Sequence, residues 1–226
     1  MRVLLSWSSG KDAAWALHTL RARGVPVSGL LTTADERAGR VPVHDVPLGL
    51  VQAQSEALGL PLRTVPLPWP CPDATYRARF AQALHAAREA GTTHVAFGDL
   101  LLEDVRAWRE ALVRAAGLEP LFPLWAPPGG TAALARAMLR AGLRATVAAA
   151  DARLFGSEAA GAAYDAAFLE ALPSGCDPCG EYGEFHTFAQ GGPPFDRPLR
   201  VRTQPAVLQS GFWLARPVPD SSSDPS

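Results

Sequence analysis

Residues 6–13 read Ser6-Trp7-Ser8-Ser9-Gly10-Lys11-Asp12-Ala13: hydroxyls, one glycine, one ammonium and one carboxylate in a short span. These types suit an anion. Hydroxyls and loop amides donate hydrogen bonds, Gly10 permits a tight turn and close backbone approach, and Lys11 brings a mobile charge to a phosphate. The stretch serves equally well as a solvent-exposed turn with a chance lysine. Walker A chemistry is excluded: its first glycine would stand at Leu5, and Asp12 occupies the place of the Ser or Thr that binds magnesium. Lys11 is also the single lysine among 21 basic residues, and the chain has no Ile and no Asn. GC-rich codon usage accounts for all three biases. Where such usage replaces lysine by arginine for any generic positive charge, a retained lysine marks a place for a compact ammonium.

A second cluster runs Cys179-Gly180-Glu181-Tyr182-Gly183-Glu184-Phe185-His186-Thr187. Two glycines allow a tight backbone around Glu181, and in the strand that follows Glu184 and His186 share one face, as an acid–base pair. A structural hairpin with a satisfied histidine is the plainer alternative. Cys176-Asp177-Pro178-Cys179 has C-x-x-C spacing, but only Cys71 and scattered histidines could complete a metal set, so an accidental pair is expected.

Both clusters need elements to hold them. Residues 2–6 form a buried-strand pattern and residues 13–23 have apolar residues at helical spacing, so the first cluster is the turn between a strand and a helix. Strands are predicted at 27–33, 62–67, 94–97 and 144–149, and helices at 48–58, 73–90, 103–116 and 132–141. This alternation implies an α/β domain over 1–150, a parallel sheet with helices on both faces. Ligands bind such sheets at the carboxyl ends of the strands, where residues 6–13 and Gly98-Asp99 fall. A helix over 159–172 and short strands at 184–190, 199–203 and 212–215 define a small C-terminal α+β lobe over 151–216. Residues 217–226 lack apolar periodicity and are predicted to be disordered. Trp69, in a proline-rich stretch, is expected to cover an edge of the core.

The chain has 226 residues, 48% of them apolar, and Lys+Arg 21 against Asp+Glu 22 leaves a net charge of −1. That balance argues against wrapping nucleic acid by bulk charge. No apolar run approaches the length of a membrane span, nothing marks the chain for export, and three cysteines do not make a disulfide framework. A cytoplasmic location follows as the expectation.

Four ordered stretches carry a resemblance: Trp7-Ser8-Ser9-Gly10-Lys11-Asp12; Phe97-Gly98-Asp99 with Glu103-Asp104-Val105-Arg106; Pro120-Leu121-Phe122-Pro123-Leu124-Trp125; and the run from Asp177 through Glu181, Glu184 and His186 to Phe188. The first resembles the PP-loop of ATP pyrophosphatases, with Ser9 in place of a glycine and Ala13 in place of the last serine. Together they resemble the diphthine–ammonia ligase family. The resemblance implies an adenine nucleotide alpha hydrolase-like fold and amide formation, in which ATP activates a carboxylate, pyrophosphate leaves and ammonia displaces AMP. It implies ATP and Mg2+ as cofactors, with ammonia and an unidentified carboxylate as partners, that carboxylate being diphthine on an elongation factor if the source makes it. No nucleic acid or membrane partner is expected, and a homo-oligomer is compatible with the sequence. Ser6, Ser8, Ser9, Gly10, Lys11, Asp12, His44 and Gly98 are the expected nucleotide-binding residues. Lys11, Asp99, Glu181, Glu184 and His186 are the expected catalytic ones. Asp12 and Asp99 lead the candidates for Mg2+, ahead of Glu103 and Glu181, and Glu184 with His186 would position ammonia and take its proton. Arg106 and Arg109 either pair with surface carboxylates or hold a phosphate or carboxylate. An RNA-modifying PP-loop enzyme and a nucleotide-binding module without turnover are the alternatives.

Overall fold

Apolar residues fill residues 3–5 without a break, so both faces of the first strand need cover, and the chain supplies helices for both. The computed structural model describes residues 1–42, 44–125 and 130–220. The elements are, in chain order, β1 (Val3–Ser6), α1 (Lys11–Ala22), β2 (Val27–Asp35), β3 (Arg40–Val41), β4 (Val46–Pro47), α2 (Leu48–Ala57), β5 (Leu62–Leu67), α3 (Asp73–Glu89), β6 (His94–Ala96), α4 (Glu103–Ala115), β7 (Glu119–Leu121) and α5 (Thr131–Arg140). After them come β8 (Arg144–Asp151), α6 (Ala166–Glu170), β9 (Phe185–Gly191), β10 (Val201–Thr203), β11 (Val207–Gln209), β12 (Phe212–Leu214) and β13 (Pro217–Pro219). Alternation along β1 separates two cores: Val3 and Leu5 pack with Ala14 and Leu17 of α1 and Val51 of α2, whereas Leu4 packs with Phe80 and Leu84 of α3 and Val113 of α4.

The parallel strands lie in the order β5-β2-β1-β6-β7, with the β3–β4 hairpin extending from the end of β2. The chain leaves β1 toward β2 on one side and later returns to β6 on the other. The order therefore reverses between β1 and β6, and in an open α/β sheet the crevice above that switch point is where ligands bind. The turn after β1 and the Gly98-Asp99 turn after β6 both open there.

The second lobe differs from its sequence reading in three places. β8 is not a further strand of the parallel sheet. It pairs antiparallel with β9 and β12 in a four-stranded sheet, β11-β12-β8-β9, so the expected boundary at 150/151 falls at the end of that sheet's inner strand. Its run Val147-Ala148-Ala149-Ala150 is buried, and a continuous apolar run looks the same in either kind of sheet. The helix expected over 159–172 is broken. Gly161 takes φ +95°, its amide donates to the Val147 carbonyl, and Tyr164 N–H donates to Ala145, so this stretch runs beside β8. Only a 3₁₀ turn (Ser157–Ala159) and α6 are helical, and α6 starts where the Asp165 carboxylate accepts the Phe168 amide. Finally, the segment expected to be disordered from 217 begins as β13, paired antiparallel with β10, while residues 221–226 lie outside the described residues. Trp69 does not cover the core either. It is 51% exposed at the rim of a separate surface cavity.

The two lobes are stitched at the loop that follows β1. Ala189 N–H of β9 donates to the Ser9 carbonyl, and Gln54 of α2 donates to both the Ser9 and Ala189 carbonyls while accepting from Trp7 Nε1. Gln54 was missed by sequence reading, though a polar residue on the buried stripe of Leu50, Val51 and Ser55 was a visible signal.

Candidate active site

A cavity of 560 Å³ opens above the β1/β6 switch point. That size is ordinary for a small-molecule site. The end of β1, the loop after it and the first turn of α1 contribute Ser6, Ser8, Lys11 and Asp12, and the turn after β6 contributes Gly98 and Asp99. The opposite wall consists of His44, Glu181 and His186, with Arg109 reaching in from α4. Three expected residues do not line it: Ser9, Gly10 and Glu184.

The loop departs from its expected wiring. Gly10 has φ −84°, so it needs glycine for space and not for a turn: a Cβ would stand 3.1 Å from His44 Cε1 and 3.2 Å from the Thr187 carbonyl. The left-handed residue is Ser9, at φ +72°, and its buried hydroxyl has no hydrogen-bond partner. Two amides expected to face a phosphate are already bonded, Gly10 to the Ser8 hydroxyl at 3.3 Å and Lys11 to Thr187 Oγ1 at 3.1 Å.

Lys11 is 1% exposed. Its ammonium donates to Asp12 Oδ2 at 2.9 Å and to the Cys179 carbonyl at 2.5 Å, and it lies 5.2 and 5.3 Å from the ring centroids of Tyr164 and Phe185. Burial opposes a charge there, but Asp12, and behind it Cys179 and Glu181, raise the pKa above the ordinary lysine value, so Lys11 is an ammonium. It therefore joins the first helix to the second lobe as well as facing the cavity. Burial raises the Asp12 carboxyl against the pull of Lys11, and Asp12 Oδ1 is a buried acceptor without a partner.

On the far wall the carboxylates are engaged with backbone. Glu181 Oε1 accepts the Leu100 and Leu101 amides at 2.9 and 3.0 Å, tying the loop before β9 to the loop after β6; burial raises its pKa against those bonds. Glu184 Oε1 accepts the Asp177 amide and Oε2 the Tyr182 amide, each at 2.9 Å, and the residue is buried away from the cavity. Glu184 and His186 thus do not act as a pair, because the glutamate turns back to close its own loop. His186 lies 4.9 Å from His44, ring to ring, and burial pushes its pKa down to about 3, helped by His44 and Lys11. Burial likewise lowers His44 to about 4, and its Nδ1 lies 3.1 Å from the Thr187 carbonyl, which makes Nδ1 the protonated nitrogen. His186 is therefore too weak a base for the expected task of taking a proton from ammonia. It is a neutral imidazole throughout the physiological range.

Arg106 pairs with Glu110 at 2.8 Å and stacks on Phe122 and Trp125, whereas Arg109 stands 2.7 Å from Asp99 inside the cavity. Burial raises the Asp99 carboxyl against the pull of Arg109. Burial pushes both the Cys176 and Cys179 thiols up to about 12, so neither is a thiolate at neutral pH. Among the described residues no group of three or more His, Cys, Asp or Glu side chains could hold a metal. The orphaned Asp12 Oδ1, with Asp99 across the turn, fits a cation that keeps most of its waters and needs one or two carboxylates, as Mg2+ does. No helix among the described residues is long and apolar enough to cross a membrane.

A parallel sheet with helices on both faces and a glycine-containing, lysine-bearing loop at its switch point defines an α/β protein of the PP-loop kind. Residues 1–120 match the family described as Diphthamide synthase N-terminal domain, over half of the chain, and the chain belongs to that family. No curated protein matches it. The family resemblance is thereby borne out over residues 1–120, and the stretches at 121–125 and 177–188, with the wall from Cys179 to Thr187, lie outside the matched span.

Proposed function

We propose that this protein is a cytoplasmic ATP-dependent ligase that activates a carboxylate with release of pyrophosphate and amidates it with ammonia, releasing AMP. The observation that carries the reading is the convergence of Lys11, Asp12 and Asp99 in one switch-point cavity, with Asp12 Oδ1 buried and unpartnered. Lys11 and the N-terminus of α1 supply positive potential where charge develops on a leaving pyrophosphate. Mg2+, when held by Asp12 and Asp99, would neutralise phosphate charge. Neutral His186 accepts a hydrogen bond from ammonia through a ring nitrogen but is too weak a base to retain its proton at neutral pH. Glu181, raised by burial, holds a proton more firmly than a free carboxylate does.

The test supplies the purified protein with ATP, Mg2+, ammonia and a panel of carboxylates, a diphthine-bearing elongation factor among them, and measures AMP, pyrophosphate and amide. Equal yields of the three with one carboxylate support the ligase. AMP formed only with tRNA would establish RNA modification instead. A nucleotide-binding module without turnover is the second reading, favoured by Ala13, which lines the cavity where the PP-loop pattern has serine. ATP binding without AMP under every condition would decide for it.

A further inference from the structure

Among the described residues, Arg109 and Lys11 are the cavity's two side-chain cations, since the histidines that line it are neutral at physiological pH. Lys11 is committed to Asp12, the Cys179 carbonyl and two flanking rings. Arg109 is not. Its contacts are the Phe97 ring, 4.6 Å from the guanidinium carbon to the ring centroid, and Asp99 Oδ2, 2.7 Å from Nε. Asp99 Oδ2 and Arg109 Nε are both buried and have each other as an ion-pair partner, with no further hydrogen bond to either atom. A guanidinium that lines a cavity and is held by one carboxylate is suited to exchange it for a ligand's planar carboxylate, which it grips with two parallel bonds.

We propose that Arg109 binds the carboxylate of the acceptor substrate, displacing Asp99, and that it does not bind the nucleotide triphosphate. This rests on the ligase reading. Position separates the two anions. The phosphate loop belongs to β1 and α1, whereas Arg109 arrives on α4 from beyond β6. Between them the backbone of Gly98 presses on α1 so closely that a Cβ would stand 3.0 Å from the Asp12 carbonyl oxygen and the Ala13 amide.

The test follows the Arg109 Nε–H signal by nitrogen-15 NMR during separate titrations with α,β-methylene-ATP plus Mg2+, with inorganic pyrophosphate, and with sodium propionate added to the protein already carrying the ATP analogue. Neither turnover nor the true acceptor is required, so the result stands apart from the ligase assay. Propionate should shift the signal, with the two phosphate probes leaving it in place. Followed on the backbone amide signals, Arg109→Gln should weaken propionate binding more than tenfold and keep the affinity for the ATP analogue within about twofold, with Arg109→Lys as the folded control if the glutamine variant unfolds. Asp99→Asn, which removes the internal competitor, should tighten propionate binding about tenfold. A signal moved by the ATP analogue or pyrophosphate alone, or one that no probe moves, would overturn the proposal.

Discussion

The two walls of the cavity carry similar side chains and use them in opposite ways. At the start of α1, Asp12 Oδ1 is buried with no hydrogen bond, and in the turn after β6 the buried Asp99 Oδ2 meets no main-chain amide, only the Arg109 side chain at 2.7 Å. In the loop before β9, Glu181 and Glu184 spend three of their four carboxylate oxygens on four main-chain amides. Unspent polar atoms in a cavity are available to a ligand, and spent ones hold a shape. The first wall is thus the reactive one and the second is the frame that sets its depth. Lys11 belongs to both, with a carboxylate of the first wall and a carbonyl of the second on one ammonium.

Breaking that joint should have the largest effect. Lys11→Met leaves Asp12 and the Cys179 carbonyl buried without their cation, so stability should fall by about 3–5 kcal/mol and AMP formation by more than a hundredfold. Lys11→Arg should lose both as well, because a broad planar fork does not fit between the Tyr164 and Phe185 rings. Chemical denaturation and pyrophosphate release check the two arms. A variant with normal stability and no activity would return Lys11 to the first wall alone.

Acid should loosen the second wall next. His44 and His186 have folded pKa values of about 4 and 3 against about 6.5 unfolded, so below pH 6.5 the unfolded chain binds protons that the folded chain refuses. Their contribution is complete above pH 6.5 and is lost as pH falls. The loss should be on the order of 2–4 kcal/mol by pH 4, allowing for water in the open cavity. His44→Gln keeps a donor for the Thr187 carbonyl and should flatten the slope of Tm between pH 4 and 6.5. An unchanged slope in that variant would assign acid lability to other groups.

The glutamates sharpen the comparison further. Glu184 uses both oxygens, so Glu184→Gln turns an amino group toward the Asp177 or Tyr182 amide and should destabilise by about 1–3 kcal/mol. Glu181 takes both of its amides on Oε1, and a glutamine can keep both bonds, so Glu181→Gln should change stability by less than about 1 kcal/mol. Glu181 also lines the cavity, and turnover should fall about tenfold if its other oxygen handles a proton. A silent Glu181→Gln in the AMP assay would make Glu181 pure frame.

This division explains what was legible in the sequence. The helices of the first lobe could be placed within one or two residues because their stripes repeat at helical spacing, and the loop after β1 could be located as a strand-to-helix turn. β7 escaped, being three residues with Pro120 in the middle. The roles of Glu181 and Glu184 escaped for another reason: a carboxylate's duty depends on which amides the loop turns toward it, and no side-chain pattern records that. The meeting of His44 with His186, and with it the loss of near-neutral titration, depends on a contact between segments more than a hundred residues apart. Side-chain types marked out the cavity, and main-chain partners decided which of them remain free in it.

Ser9 makes the smallest and most local case. It sits at φ +72°, where a side chain is strained by roughly 1 kcal/mol, and its hydroxyl is buried without a partner although both lobes converge on its carbonyl. The glycine of the PP-loop pattern would relieve the strain and remove the orphaned hydroxyl. It would also free the unfolded chain, which offsets part of the gain. Ser9→Gly should therefore stabilise by no more than about 1 kcal/mol and preserve the Ala189 and Gln54 bonds, which involve only backbone of residue 9. Thermal unfolding without and with an ATP analogue separates two uses of that hydroxyl. If stability rises without ligand and the ligand-induced shift is unchanged, Ser9 is strain carried by the first wall. A smaller ligand-induced shift in Ser9→Gly would make the hydroxyl a phosphate donor and add it to the unspent atoms beside Asp12.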